Sequence, residues 1–128
     1  MPELPDVTVY VESLNAKVRG DTLERVRVAD PFVLRTAVPP ISSAEGRRVL
    51  GVERLGKRVV LELQGDERSL FIVIHLMVAG RLRWLAAGAK PRERGALASL
   101  SFGAGTLVLT EAGTKRRASI HVVDGRDA

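Results

Sequence analysis

Two β-rich runs decide the fold class: Arg58-Val59-Val60-Leu61-Glu62-Leu63 and Ser69-Leu70-Phe71-Ile72-Val73-Ile74-His75-Leu76, separated by the turn Gln64-Gly65-Asp66. Valine, isoleucine and leucine at this density suit a pleated, buried surface. The second run is almost continuously apolar, the pattern of a central strand covered on both faces. Upstream, Arg47–Glu53 reads as a further strand, joined to Arg58–Leu63 through the hairpin tip Arg54-Leu55-Gly56-Lys57. Thr22–Val28 is another, with Leu23, Val26 and Val28 prominent. Downstream, Gly80–Leu85 alternates Leu82 and Trp84 with Arg81 and Arg83, and Leu97–Phe102 and Thr106–Thr110 flank Gly103-Ala104-Gly105. Ala118–Val123 is the last strand. Asp30-Pro31, Pro39-Pro40 with Ile41-Ser42-Ser43, and Ala86–Gly95 read as loops.

Only the beginning of the chain has a helical period. Val7, Tyr10, Val11, Leu14 and Val18 recur at three- and four-residue spacing. Pro5 suits a first turn, Glu3 and Asp6 favour the positive end of the helix dipole, and Gly20 stops the pattern after Lys17 and Arg19. A helix over Pro5–Arg19 follows, with Val7, Val11, Leu14 and Val18 as its buried stripe. One helix and about eight strands without βαβ alternation predict a mainly β domain: a two-layer antiparallel β-sandwich with the helix packed on it.

The 128 residues are enough for one domain, and 45% apolar content excludes a disordered chain. There is no cysteine, hence no disulfide and no cysteine-ligated zinc, and His75 and His121 are too few for a histidine-rich metal site. No apolar run reaches a membrane-spanning length and the N-terminus lacks the features of a signal peptide, so the expected location is cytoplasmic. Charge is uneven. Residues 1–30 hold 4 basic and 6 acidic residues, a net of −2, and residues 31–128 hold 16 and 9, a net of +7. Sixteen of the 20 basic residues are arginine, whose planar fork matches phosphate. A basic body of this kind favours an anionic partner, nucleic acid above all.

Most catalytic motifs are missing: no phosphate-binding glycine loop, no nucleophilic cysteine, no Gly-x-Ser-x-Gly. The N-terminus remains. A small second residue normally permits removal of the initiator methionine, which would leave Pro2 as a secondary amine. An α-amino group titrates near pKa ~8, so a useful fraction is neutral at neutral pH and able to attack an aldehyde-like sugar carbon. Glu3 beside it can serve as a proton donor. On these residues alone, Pro2-Glu3-Leu4-Pro5 reads first as a plain helix opening rather than as a catalytic group.

Met1-Pro2-Glu3-Leu4-Pro5-Asp6-Val7 resembles the start of the formamidopyrimidine-DNA glycosylase/endonuclease VIII family. Arg54-Leu55-Gly56-Lys57-Arg58 is similar to the family's hairpin with its functional lysine. Ile74-His75-Leu76-Met77-Val78-Ala79-Gly80 is similar to its His-Leu-Gly-Met-x-Gly strand end. The resemblance covers nearly the whole chain as the family's N-terminal domain. It implies base-excision repair on double-stranded DNA with damaged bases or abasic sites, by a monomer. The damaged nucleotide is flipped out of the duplex. Pro2 attacks the sugar C1′ and forms a Schiff base, Glu3 protonates the sugar as the base leaves, and elimination cuts the strand. Lys57 binds a phosphate beside the lesion, and Asp6 stands where the family has glutamate. Met77 replaces the family's glycine, and Val78 holds the usual methionine position. Met77 is therefore either the wedge that enters the gap or a core filler. The family's Asp-Pro-Arg-Arg-Phe-Gly loop is represented by Glu111-Ala112-Gly113-Thr114-Lys115-Arg116-Arg117-Ala118, where Lys115, Arg116 and Arg117 keep the basic character for phosphate contacts and the phenylalanine is lost. The family's helix–two-turn–helix and zinc finger have no counterpart in these residues, so any zinc belongs to that second half and no cofactor is expected in this chain. Two other readings stay open on composition: a non-catalytic nucleic-acid-binding β-sandwich, and an interaction domain whose basic surface meets an acidic protein.

Overall fold

The computed structural model describes residues 4–30, 33–36, 40–77, 80–86, 96–111 and 118–124, with side chains from Val7 onward. Helix α1 spans Leu4–Val18. Eight strands follow: β1 Leu23–Val28, β2 Val49–Leu55, β3 Arg58–Leu63, β4 Leu70–His75, β5 Gly80–Ala86, β6 Ala96–Phe102, β7 Gly105–Glu111 and β8 Ser119–Asp124. They form two four-stranded sheets, β2-β3-β4-β8 and β1-β6-β7-β5, in which every pairing between strands is antiparallel. Ile74 and Ile120 of the first sheet meet Leu82, Ala98, Leu100, Leu107 and Leu109 of the second across the interior. The expected sandwich is what forms.

Boundaries differ where side chains take over backbone work. The second predicted strand begins at Val49 rather than Arg47, because Arg47 donates from Nε to the Ser43 carbonyl (2.6 Å) and from Nη1 to the Gln64 carbonyl (2.9 Å), bridging two turns. Ile41–Ala44, read as loop, is a 3-10 turn. The apolar run narrows to Leu70–His75, with Leu70, Ile72 and Ile74 facing the interior and Phe71 buried on the outer face. On α1, Val7, Leu14 and Val18 are buried as expected, but Val11 is only half-buried, because the helix rests along one edge of the sandwich rather than inside it.

That edge position matters. An edge strand exposes unpaired backbone groups. Here the Asn15 Oδ1 accepts the Val52 N–H (2.9 Å) and the Gly20 N–H donates to the Val49 carbonyl (2.8 Å), so α1 and the turn after it cap the free edge of β2. These two anchors also fix direction. Moving back along α1 means moving forward along β2, so α1 begins at the end of the sheet where β2 runs into the Gly56-Lys57 turn. On the opposite edge, the Arg35 N–H donates to the Ile120 carbonyl (2.9 Å) and the Val122 N–H to the Thr36 Oγ1 (2.9 Å), covering β8. The outer edge of β1 is blunted by Glu45, whose Oε2 accepts the Val26 N–H (2.9 Å).

Candidate nucleic-acid interface

Strand register collects the connections at one end of the sandwich. Leu55 pairs with Arg58, Arg58 with His75 and His75 with Ser119, so β2 and β4 end, and β3 and β8 begin, on a single row. In the second sheet Gly80 pairs with Glu111, so β5 begins and β7 ends beside that row. The Gly56-Lys57 turn, Leu76 and Met77 after β4, and the flanking residues Glu111 and Ala118 therefore lie at one end, the end where α1 starts.

Each turn has a local reason. The β2–β3 link is two residues long, and Gly56 has φ +61°, a value that glycine adopts without strain and that matches the twist of paired strands. This places Lys57, half-buried, at the tip. Arg54 steadies the tip by donating from Nη1 to the Gly56 carbonyl (3.0 Å). Arg54, Lys57 and Arg58 thus share one hairpin with Leu55, which is 61% exposed. In the β4–β5 turn the Gly80 N–H donates to the Leu76 carbonyl (2.9 Å), and a side chain at Gly80 would run into that same carbonyl oxygen. Met77, half-buried, has φ +58°, a left-handed conformation in which a non-glycine residue is strained by roughly 1–2 kcal/mol. That strain explains why a glycine would suit this position better.

His75 faces Arg58 across the row. Burial, then the Arg58 charge and His121, lower its pKa below the usual 6.5, so it is neutral at neutral pH. The unfolded chain takes up this proton more readily than the folded one. His75 therefore contributes stability above about pH 6.5 that is lost as pH falls through its folded pKa. Urea unfolding measured from about pH 7.5 to 5 should show a falling midpoint, and His75→Gln should flatten that fall; an unchanged slope would remove His75 as its cause.

Not every expected site residue can be placed. Pro2, Glu3, Lys115, Arg116 and Arg117 lie outside the described residues, and Asp6 lies in the first turn of α1. Lys57 and Met77 are brought to the same end, together with His75. Sequence reading missed Glu111, a buried carboxylate at the root of the basic segment; its only sequence signal is an acidic residue closing an apolar alternation. Among the described residues, no three histidine, cysteine, aspartate or glutamate side chains gather where they could hold a metal ion. Nor is any helix among them long and apolar enough to cross a membrane.

A helix laid along the edge of an antiparallel sandwich, with a lysine-tipped hairpin at the end where that helix begins, defines a recognisable architecture. Residues 1–126 match the family model of the formamidopyrimidine-DNA glycosylase N-terminal domain, and the chain belongs to this family. It is 38% identical over 97 residues to a formamidopyrimidine-DNA glycosylase of Heliobacterium modesticaldum, covering 73% of this chain and 32% of that protein. A counterpart from Mycolicibacterium paratuberculosis is 37% identical over 112 residues, covering 84% and 38%. The fold also superposes on Lactococcus lactis formamidopyrimidine-DNA glycosylase bound non-covalently to DNA containing an abasic site, with a TM-score of 0.82, 21% identity and coverage of 96% of this chain and 45% of that one. The chain thus spans about a third of these curated relatives and under half of that solved structure.

Proposed function

We propose that this chain is the catalytic N-terminal domain of a base-excision-repair DNA glycosylase that also cleaves abasic sites. The observation that carries this reading is the convergence at one end of the sandwich: the start of α1, three residues after Met1, the Lys57 tip and the Met77 turn. Pro2 stands two residues before the start of α1, and in this reading its amine, once Met1 is removed, meets the sugar whose phosphates these groups address. The amine attacks C1′, and the glycosidic electron pair leaves with the base, which takes a proton. Glu3 protonates the sugar as its ring opens to the iminium. The iminium acidifies the 2′ hydrogen, whose removal expels the 3′ phosphate and cuts the strand. Lys57, with Arg54 and Arg58 around it, neutralises a phosphate beside the lesion, and Asp6 adds negative charge in the first turn of α1. Half-buried Met77, in the turn that leaves β4, is the wedge candidate, and Lys115, Arg116 and Arg117 supply further phosphate contacts.

Borohydride reduction of the chain mixed with an abasic-site duplex tests the reading. A covalent protein–DNA adduct is expected, and its absence from material lacking Met1 overturns the proposal. The chain alone should bind duplex DNA weakly, with steep salt dependence and little preference for a lesion. Lys57→Ala should weaken that binding about uniformly across sequences and reduce the salt slope by about 1, which fluorescence anisotropy at several salt concentrations would measure. An unchanged slope would remove Lys57 from the phosphate contacts.

A further inference from the structure

Helix α1 caps β2 with one side, and another side of it looks across a gap at β5, the outer strand of the second sheet. The gap is a cleft of about 190 Å³. Buried Leu14, Leu82 and Leu107 line it. The half-buried indole of Trp84 forms a wall, fixed by stacking on Phe102 with ring centroids 6.2 Å apart. Ser13, the smallest lining residue, leaves open a space that a larger side chain would close. An apolar cavity of ~150 Å³ holds one benzene ring, so this cleft is the right size for a ring with a small substituent. The rim sets the sign of that substituent. Two cations, Lys17 and Arg83, line the cleft, and among the described residues that line it there is no carboxylate. Lys17 is exposed, yet its ammonium stays at the cleft. Its Nζ donates to the Ser13 Oγ (2.8 Å) and lies 6.0 Å from the centre of the Trp84 ring, within reach of a cation–π contact. A bare anion would gain nothing from the leucines, and an uncharged ring would leave the two cations unused.

We propose that the cleft between α1 and β5 is a binding site for a small aromatic carboxylate, its ring against Trp84 and the leucines and its carboxylate at Lys17 and Arg83. The site goes beyond the DNA reading, and its test contains no DNA. Trp84 is the only tryptophan of the chain, so its indole N–H gives a single peak in a proton–nitrogen correlation spectrum. Phenylacetate, the uncharged phenylacetamide and acetate are titrated separately into the full chain at constant ionic strength. Phenylacetate should move the peak saturably, with half-saturation at about 0.1–1 mM for a ligand of this size. Phenylacetamide should need roughly 5-fold more, the worth of an exposed ion pair, and acetate should leave the peak in place. Replacing both exposed cations, Lys17→Gln with Arg83→Gln, should bring phenylacetate down to the affinity of phenylacetamide; should that double variant fail to fold, Lys17→Gln alone should narrow the difference. Ser13→Leu, which fills the cleft from the helix, should remove saturable binding of both aromatic probes. The inference is overturned if phenylacetate gives no saturable shift up to about 10 mM, if phenylacetamide binds the parent chain equally well, or if acetate reproduces the shift. Undiminished binding in Ser13→Leu, or a full preference for the anion after the cations are replaced, would overturn it as well.

Discussion

Chains lacking Met1 will form a borohydride-stabilised adduct with abasic DNA, and chains retaining Met1 will not. With Met1 in place the Pro2 nitrogen is an amide whose lone pair is delocalised into the carbonyl, so it cannot add to a sugar aldehyde. With Met1 gone it is a secondary amine with pKa near ~8, of which roughly a tenth is neutral at pH 7. The expected difference is at least about 100-fold in adduct yield, a gap of more than ~2.7 kcal/mol in the barrier. Intact mass spectrometry of each preparation, beside the gel of trapped product, reads it directly. Pro2→Gly keeps an amine but makes it primary and frees its torsions, and should lose about nine-tenths of the yield through poorer positioning. Equal adduct formation with and without Met1 would transfer the nucleophile to another amine, with Lys57 the first to test, and would overturn the assignment of Pro2.

Glu3→Gln should separate the two halves of the reaction. A positioned general acid contributes roughly 10²–10⁴-fold, and here its proton matters most while the base is leaving and the sugar ring opens. Release of a damaged base should therefore fall by about 100-fold or more, while trapping on a pre-formed abasic site, where the base has already gone, should fall much less. Parallel assays on the two substrates, carried out in the protein extended to the full length of its relatives if the chain alone is too slow to release base, provide the comparison. Equal losses in both would give Glu3 a role in binding rather than in proton transfer.

The strands and helix were legible because each needs only local information. Apolar density marks Arg58–Leu63, alternation marks Gly80–Leu85, the 3.6-residue period marks α1, and Gly56 and Gly103 punctuate hairpins. Sheet order was not legible. The pairing of β4 with β8 and of β1 with β6 is decided by how apolar faces fit across long stretches of chain, and no local pattern encodes it. The half-burial of Val11 is similar: periodicity places it on the apolar stripe, but only the seat of α1 against β2 decides how much of that stripe is covered. Among the site residues, Lys57 could be placed because a two-residue hairpin fixes its neighbours. Met77 was visible as a departure from a motif, and its positive φ gives the departure a physical cost. Glu111 was invisible as a buried group, since an acidic residue beside a glycine and three cations reads as solvated surface. Its burial depends on the return of Ala118 to the opposite sheet.

The pairing of β4 with β8 also governs how the chain comes to be folded. Leu70–His75 finds one partner at once, in β3, but its other partner is made nearly fifty residues later. During synthesis Phe71 and Ile72 therefore wait on an open, strongly apolar edge until Ser119–Asp124 has left the ribosome. Such long-range antiparallel closure is slow and leaves a strand edge open to self-association. A nascent chain halted before β8 lacks the strand that covers this edge.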